Sequence, residues 1–276
     1  MQGNLIAKVI NNLRRLKQHP ITAQFIKHNK RTFSALESCD DKKPIVLMEF
    51  NTMHSNIIAG SYLANVLGIE NKAIIKAYSP KASRGLMQRA NFKLLKFFGA
   101  DAFGAYTSFG AKDFITIELD ASQISKAKNL FTVVMEKLVD KRALECLVLD
   151  GIWVGDLIYD TYLREFNEPT IVIEDHIFQG FLLESLELFI FWQDFFENHD
   201  VSAVNVSHCA YTAAIPYRFA IENNIPAYQV TTNHLYRMSK SNYFAYNDFY
   251  YYRERFSNLP EDIKKLGLDK AKERIQ

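Results

Sequence analysis

Short apolar runs alternate with longer segments of helical periodicity along most of this chain. A continuous apolar run of about four to eight residues is typical of a strand that is buried on both faces. The predicted strands are PIVLMEF at 44–50, KAIIKAY at 72–78, LECLVL at 144–149, PTIVIED at 169–175, VSAVNVS at 201–207 and PAYQVTT at 226–232.

The segments between these runs predict helices. Asp120 and Gln123 have the spacing of a capping box, and the apolar positions that follow them keep the helical period. The aromatic segment 178–198 is apolar nearly all round, so we expect it to be buried on more than one side. Further helices are predicted at 57–68, at about 82–98, at 155–166 and from near Tyr211.

Strands separated by helices of roughly 10–20 residues predict a mostly parallel sheet with helices on both faces. The fold class is therefore α/β and Rossmann-like. We expect a basic helical segment at 1–42, one Rossmann-like α/β domain at 43–240, and an aromatic and basic linker at 241–276.

In open parallel sheets, ligands bind beyond the carboxyl ends of the strands. This rule selects the loops that follow the predicted strands, and four of these loops contain a histidine, namely His54, His176, His208 and His234. The selected loops are 51–56, 150–156, 174–178, 207–211 and 231–237.

The charge is unevenly distributed, although the formal net charge of the 276 residues is only +2. Residues 1–36 and 71–100 contain basic side chains without any acidic ones. Such segments favour contact with phosphates, anionic lipid headgroups or an acidic saccharide. A solvated basic helix surface is the alternative.

Several classes of protein are disfavoured. The chain has no uncharged apolar stretch of about 18 residues and no cleavable signal at its start, so we expect a cytoplasmic protein. GxGxxG, Gly-Lys, GxSxG, HExxH and Asp-x-Asp are all absent. We therefore predict neither a resident cofactor nor a metal ion.

Two residues are the preferred candidates for a catalytic base, His54 in the first loop and Asp156 at the start of GDLIYDTYLR. Asp156 could point into the crevice together with Tyr159, or it could only cap the following helix. Arg164 could position a ligand, or it could pair with Asp160 one helical turn before it.

The other candidates are polar residues at predicted strand ends that could bind a substrate. His208 and Tyr211 lie in SHCAYTAAIPYRFA, Ser55 and Asn56 follow His54, and His176 follows the predicted strand at 169–175. A structural role remains open for each histidine, as a bridge between loops or as part of a helix cap.

Three segments give the chain a family resemblance. GDLIYDTYLR, SHCAYTAAIPYRFAIENNIPAY and YFAYNDFYYYRERF together resemble the N-terminal portion of bacterial surface-polysaccharide biosynthesis proteins, which make capsule or lipopolysaccharide. The resemblance covers roughly residues 44–260. It implies a GT-B-like glycosyltransferase, in which the N-terminal domain receives the acceptor and the C-terminal domain binds the nucleotide-sugar donor. We expect either that such a C-terminal domain follows Gln276 or that the protein is a single-domain relative, and we expect this domain alone to be inactive in transfer.

The resemblance also implies partners. The acceptor would be a saccharide or a lipid-linked saccharide, and residues 1–18 and 81–98 could contact the inner face of the membrane peripherally. We expect no nucleic-acid partner, because the basic segments contain no recognisable nucleic-acid-binding motif. A non-catalytic saccharide- or partner-binding module and a nucleotide-sugar epimerase are the alternatives.

Overall fold

A six-stranded sheet forms the centre of the computed structural model, which describes residues 20–33, 43–51, 54–79, 86–99, 102–231, 234–244 and 252–275. The strand order is β3-β2-β1-β6-β7-β8, and only β8 is antiparallel to its neighbour. The strands are β1 (Ile45–Glu49), β2 (Ile74–Tyr78), β3 (Ala111–Ile115), β6 (Val201–Val206), β7 (Ala227–Val230) and β8 (Leu235–Met238).

Both faces of the sheet are covered. Every residue of β1 is buried, and successive residues point to opposite faces because side chains alternate along a strand. Ile45 and Leu47 belong to one apolar cluster, whereas Val46 and Met48 belong to another. The continuous apolar run at 44–50 is thus explained by burial on two sides.

The helices are divided between these two clusters. The first cluster contains apolar residues of α5 (Ala121–Lys137), α7 (Gly155–Phe166), α8 (His176–Asn198) and α9 (Ile215–Glu222). The second contains residues of α2 (His54–Glu70), α3 (Leu86–Phe97) and α4 (Ala102–Ser108). Leu144 of α6 (Lys141–Glu145) and Ala214 of a 3₁₀ turn at Thr212–Ala214 also belong to the first cluster. The described part of the chain further contains α1 (Pro20–Thr32), α10 (Tyr252–Ser257) and α11 (Glu261–Ile275).

The predicted α/β class with a mostly parallel sheet is confirmed, and the topology is Rossmann-like. The predicted capping box is also present, since the Asp120 carboxylate accepts from the Gln123 backbone N–H and the Gln123 side chain accepts from the Asp120 N–H. All six strands of the sheet lie between Ile45 and Met238.

Two predicted strands are wrong. Residues 169–175 form no strand but a short connection between α7 and α8, where Ile171 is buried and Val172 is exposed. The described sheet has β3 and β8 at its edges, and residues 169–175 pair with neither, because the chain runs directly from the end of α7 to the start of α8.

The second error concerns 144–149. Lys141–Glu145 is helical, and only Val148–Leu149 (β4) is extended; it pairs with Ile152–Trp153 (β5) in a separate two-stranded hairpin. Asp150 and Gly151 turn the hairpin with φ values of 48° and 81°. Two positive φ values are characteristic of the tight hairpin turn that Asp-Gly favours.

Within the part of the chain that the structure describes, no helix combines the length and the apolar character that a membrane crossing requires.

Candidate functional site

A cavity of about 380 Å³ opens at the carboxyl edge of the sheet, between the ends of β1 and β6. The strand order reverses at this point, because β2 and β3 continue on one side of β1 while β7 continues on the other side of β6. Open α/β sheets bind their ligands in this crevice. The lining residues that carry the chemistry are Glu49, Asn51, Arg164, Glu165, His208 and Tyr211.

Glu49 ends β1 and is a buried carboxylate in the cavity wall, with only 8% of its surface exposed. One of its oxygens, Oε2, accepts hydrogen bonds from the backbone N–H and the hydroxyl of Ser207, both at 2.8 Å. Burial raises the pKa of Glu49, and the hydrogen bonds from Ser207 and the nearby His208 partly offset this rise.

Ser207 links Glu49 to His208. Its Oγ lies 2.8 Å from His208 Nδ1, and it also accepts a hydrogen bond from Asn51 Nδ2 at 3.3 Å. Residues from the ends of two neighbouring strands thereby form one polar network. His208 is exposed and lines the cavity, so a ligand can reach its imidazole.

Two buried tyrosines support the floor of the site. Tyr106 Oη accepts the Asn51 backbone N–H at 2.6 Å and donates to the Glu49 carbonyl at 3.0 Å. Tyr78 donates to the Ala213 carbonyl at 3.1 Å. Burial raises the pKa of both phenols, so they remain neutral and act as hydrogen-bond donors.

Tyr211 has an unusual backbone conformation in the cavity wall, with φ 66° and ψ 166°. This region of φ/ψ space is used almost solely by glycine, and such strain clusters at functional sites. The Arg164 guanidinium lies 4.5 Å from the centre of the Tyr211 ring. The next backbone N–H, of Thr212, donates to Thr161 Oγ1 at 2.8 Å, which fixes the loop against α7.

The structure brings three of the residues predicted from sequence together, since Arg164, His208 and Tyr211 all line the cavity. The prediction for His54, Ser55 and Asn56 concerns side chains that lie outside the described part of the structure. Their backbone forms the first turn of α2 instead of the predicted loop.

Asp156 is placed differently from the prediction. It follows β5, which belongs to the separate hairpin, so the expectation that it ends a strand of the main sheet is wrong. Its Oδ2 accepts from Arg218 Nη2 at 2.6 Å. Burial raises the pKa of Asp156, and the adjacent Arg218 opposes this rise. Neither residue is among those that line the cavity.

The last two predicted binding residues also lie away from the cavity lining. Tyr159 is 8% exposed and packs in the apolar core below the sheet. His176 begins α8 beside Asp175, with 92% of its side chain exposed. Its ring nitrogen Nδ1 is 3.4 Å from the Asp175 carboxylate, which also caps the helix.

Sequence reasoning missed Glu49 and Ser207. The sequence does contain a signal for Glu49, because this carboxylate lies near the end of the apolar run PIVLMEF. A charge in a buried strand requires hydrogen-bonding or ionic partners. Ser207 lies in a selected loop, but its contact with Glu49 spans 158 residues and has no local signature.

No family model, curated protein or solved structure matches this chain. Among the residues that the structure describes, no group of three or more His, Cys, Asp or Glu is arranged to hold a metal ion.

Proposed function

We propose that this domain binds the saccharide acceptor of a glycosyl transfer reaction, as the acceptor-side half of a GT-B-type glycosyltransferase. The observation that carries the proposal is the cavity between β1 and β6, where a carboxylate, an imidazole, a guanidinium and a tyrosine converge. The family resemblance of the GDLIYDTYLR and SHCAYTAAIPYRFA segments supports the same assignment.

The mixture of charges favours a polyol over a phosphate. Sugar hydroxyls both donate and accept hydrogen bonds, and the lining offers acceptors in Glu49 and Glu165 as well as donors in Asn51 and Arg164. Two carboxylates would repel the diphosphate of a nucleotide-sugar. The loop that follows β1 also lacks the glycines that let a backbone approach a diphosphate. These features support acceptor binding here and donor binding elsewhere.

In the proposed reaction, an acceptor hydroxyl attacks the anomeric carbon of the donor. A base accepts the hydroxyl proton, and the bond between the anomeric carbon and the nucleotide phosphate breaks with its electron pair leaving on the phosphate oxygen. His208 is the imidazole that lines the cavity and therefore the base that the geometry favours.

We also propose that the acceptor can be lipid-linked. At the end of α3, the side chains of Phe97 and Phe98 are 83% and 59% exposed, and Lys93 is exposed one turn before Phe97. Exposed aromatic rings beside basic groups suit the surface of an anionic bilayer. Residues 1–18, which the sequence suggests for the same contact, lie outside the described residues.

The binding proposal can be tested on an array of immobilised neutral and acidic oligosaccharides. We expect a subset of these to bind, and the backbone amides of residues 207–213 to shift in ¹H–¹⁵N spectra on titration with a bound saccharide. Arg164→Ala should weaken binding about tenfold or more, because a hydrogen bond from a charged group is lost. Arg142→Ala removes an exposed arginine of α6 and is the matched control.

No binding, or spectral shifts confined to other surfaces, would refute the proposal. Consumption of a nucleotide-sugar in the presence of the bound saccharide, measured on this domain together with a donor-binding half, then separates the transferase from a non-catalytic saccharide-binding module. Consumption without any saccharide requirement would favour the epimerase.

A further inference from the structure

The Ser207 hydroxyl makes its full complement of hydrogen bonds. A hydroxyl has one hydrogen to donate and two lone pairs that accept. Its oxygen contacts Glu49 Oε2 at 2.8 Å, His208 Nδ1 at 2.8 Å and Asn51 Nδ2 at 3.3 Å. The direction of each bond follows from what the three partners are able to donate.

Two of these directions are fixed by chemistry. A carboxyl oxygen that carries no proton only accepts, so the Ser207 hydrogen must point to Glu49 Oε2. The same Glu49 oxygen accepts the Ser207 backbone N–H, which confirms that an acceptor is required at that position. The amide nitrogen of Asn51 only donates, so it occupies one lone pair of the hydroxyl.

The remaining lone pair faces His208 Nδ1, which must then carry a hydrogen. In a neutral imidazole only one nitrogen is protonated, so Nε2 is left with its lone pair. Nε2 is the basic nitrogen, and it lies on the side of the ring away from Ser207.

We propose that Glu49 is a positioning residue that acts through the Ser207 hydroxyl, holding neutral His208 in the Nδ1–H tautomer so that Nε2 can accept the proton of a saccharide hydroxyl. The inference rests on the proposed function for the identity of the proton donor. The tautomer itself depends only on the side chains of Glu49, Ser207 and His208.

The arrangement also accounts for a carboxylate in the wall of an apolar sheet. Glu49 is 8% exposed, and burying its charge is unfavourable, as the raised pKa reflects. When Nε2 takes the proton, His208 becomes an imidazolium whose Nδ1–H already points at the Ser207 oxygen. The carboxylate behind Ser207 then stabilises the new positive charge.

The test is the tautomer of His208, read from ¹⁵N chemical shifts and two-bond ¹H–¹⁵N correlations of histidine-labelled protein at about pH 8, where imidazoles are mostly neutral. The His208 signals are assigned by their loss in His208→Gln. We expect the Nδ1–H form to exceed the Nε2–H form by roughly tenfold in the unmodified protein.

Variants separate this relay, the chain of hydrogen bonds from Glu49 through Ser207 to His208, from a general structural effect. Ser207→Ala removes the bridging oxygen and should abolish the preference for Nδ1–H. Glu49→Gln keeps an oxygen acceptor and should retain the preference. Ser202→Ala, which removes a hydroxyl bonded to the Ile45 carbonyl at the other end of β6, should leave His208 unchanged.

A predominant Nε2–H form in the unmodified protein would overturn the relay, whatever the variants do. So would an Nδ1–H preference that survives Ser207→Ala. If His208 shows no Nδ1–H preference but the protein binds saccharide, the relay is refuted and the proposed acceptor site is not. The converse, an Nδ1–H tautomer without saccharide binding, would refute the proposed function alone.

Discussion

The backbone of Tyr211 is strained where this residue forms part of the cavity wall. Its φ of 66° and ψ of 166° cost on the order of 1–3 kcal/mol for a residue with a side chain. The contacts that oppose this cost are the guanidinium of Arg164 over the ring and the bond from the Thr212 N–H to Thr161. This backbone conformation places the Tyr211 ring in the cavity wall. Glycine would adopt the same conformation without strain, but it has no ring.

Comparing two substitutions at Tyr211 isolates the backbone strain. Tyr211→Gly and Tyr211→Ala both lose the ring, but only glycine adopts this conformation without steric conflict. We expect the glycine variant to be more stable than the alanine variant by about 1–2 kcal/mol, measured by urea denaturation.

The control is Lys128, an exposed helical residue of α5. There, alanine should be more stable than glycine by up to about 1 kcal/mol. If alanine were also the more stable choice at position 211, the backbone of Tyr211 would not be strained.

At the scale of the elements, the backbone approaches itself closely at the junction between the β4–β5 hairpin and α7. A side-chain carbon added at Gly155 would lie 1.8 Å from the Leu144 carbonyl oxygen and 2.6 Å from the Leu147 nitrogen. The Gly155 N–H itself donates to the Leu147 carbonyl at 3.0 Å. Glycine is thus required by close backbone approach.

Gly155→Ala should destabilise the protein by more than about 3 kcal/mol, because two backbone segments would have to separate. Gly180→Ala is the control. Gly180 lies within α8, and beyond the nearby backbone of that helix no atom lies within 4 Å of the added carbon, so alanine should raise the thermal midpoint slightly. A Gly155→Ala protein that melts at the same temperature as the unmodified chain would contradict this description of the junction.

Strands were predictable where burial on both faces left a continuous apolar run, as at PIVLMEF and VSAVNVS. PTIVIED also contains an apolar run, but it forms the connection between α7 and α8 and pairs with no strand, which no local pattern reveals. The hairpin at 148–153 did have a local signal, the Asp-Gly dipeptide between apolar residues.

The site was predictable to the extent that it depends on strand ends. His208 and Tyr211 follow β6, so the carboxyl-edge rule finds them. Arg164 came from the motif alone and reaches the cavity from α7. Glu49 is the last residue of β1, just before the loop that the rule selects, and Asp156 follows the separate hairpin, so the contacts of both depend on the three-dimensional arrangement.

At the scale of the whole molecule, Arg218 joins distant parts of the chain. It is completely buried, and besides its bond to Asp156 it donates to the Trp153 carbonyl at 3.2 Å. Its guanidinium lies 4.6 Å from the Trp153 ring centre and 4.8 Å from that of Tyr243. The hairpin, α7, α9 and the segment after β8 therefore meet around one cation.

This arrangement predicts that Asp156 is needed for stability. Asp156→Ala leaves the Arg218 charge buried without its carboxylate, which should cost about 3–5 kcal/mol in chemical denaturation. Asp160→Ala, on the exposed side of the same helix, should change the free energy of unfolding by less than about 0.5 kcal/mol.

The double variant Asp156→Ala/Arg218→Met distinguishes a structural pair from a catalytic carboxylate. Because it removes both charges, we expect it to recover part of the stability that the single variant loses. Saccharide binding by the folded double variant should persist, since neither residue lines the cavity. A stable Asp156→Ala protein that no longer binds saccharide would instead indicate that Asp156 belongs to the functional site, as the sequence suggested.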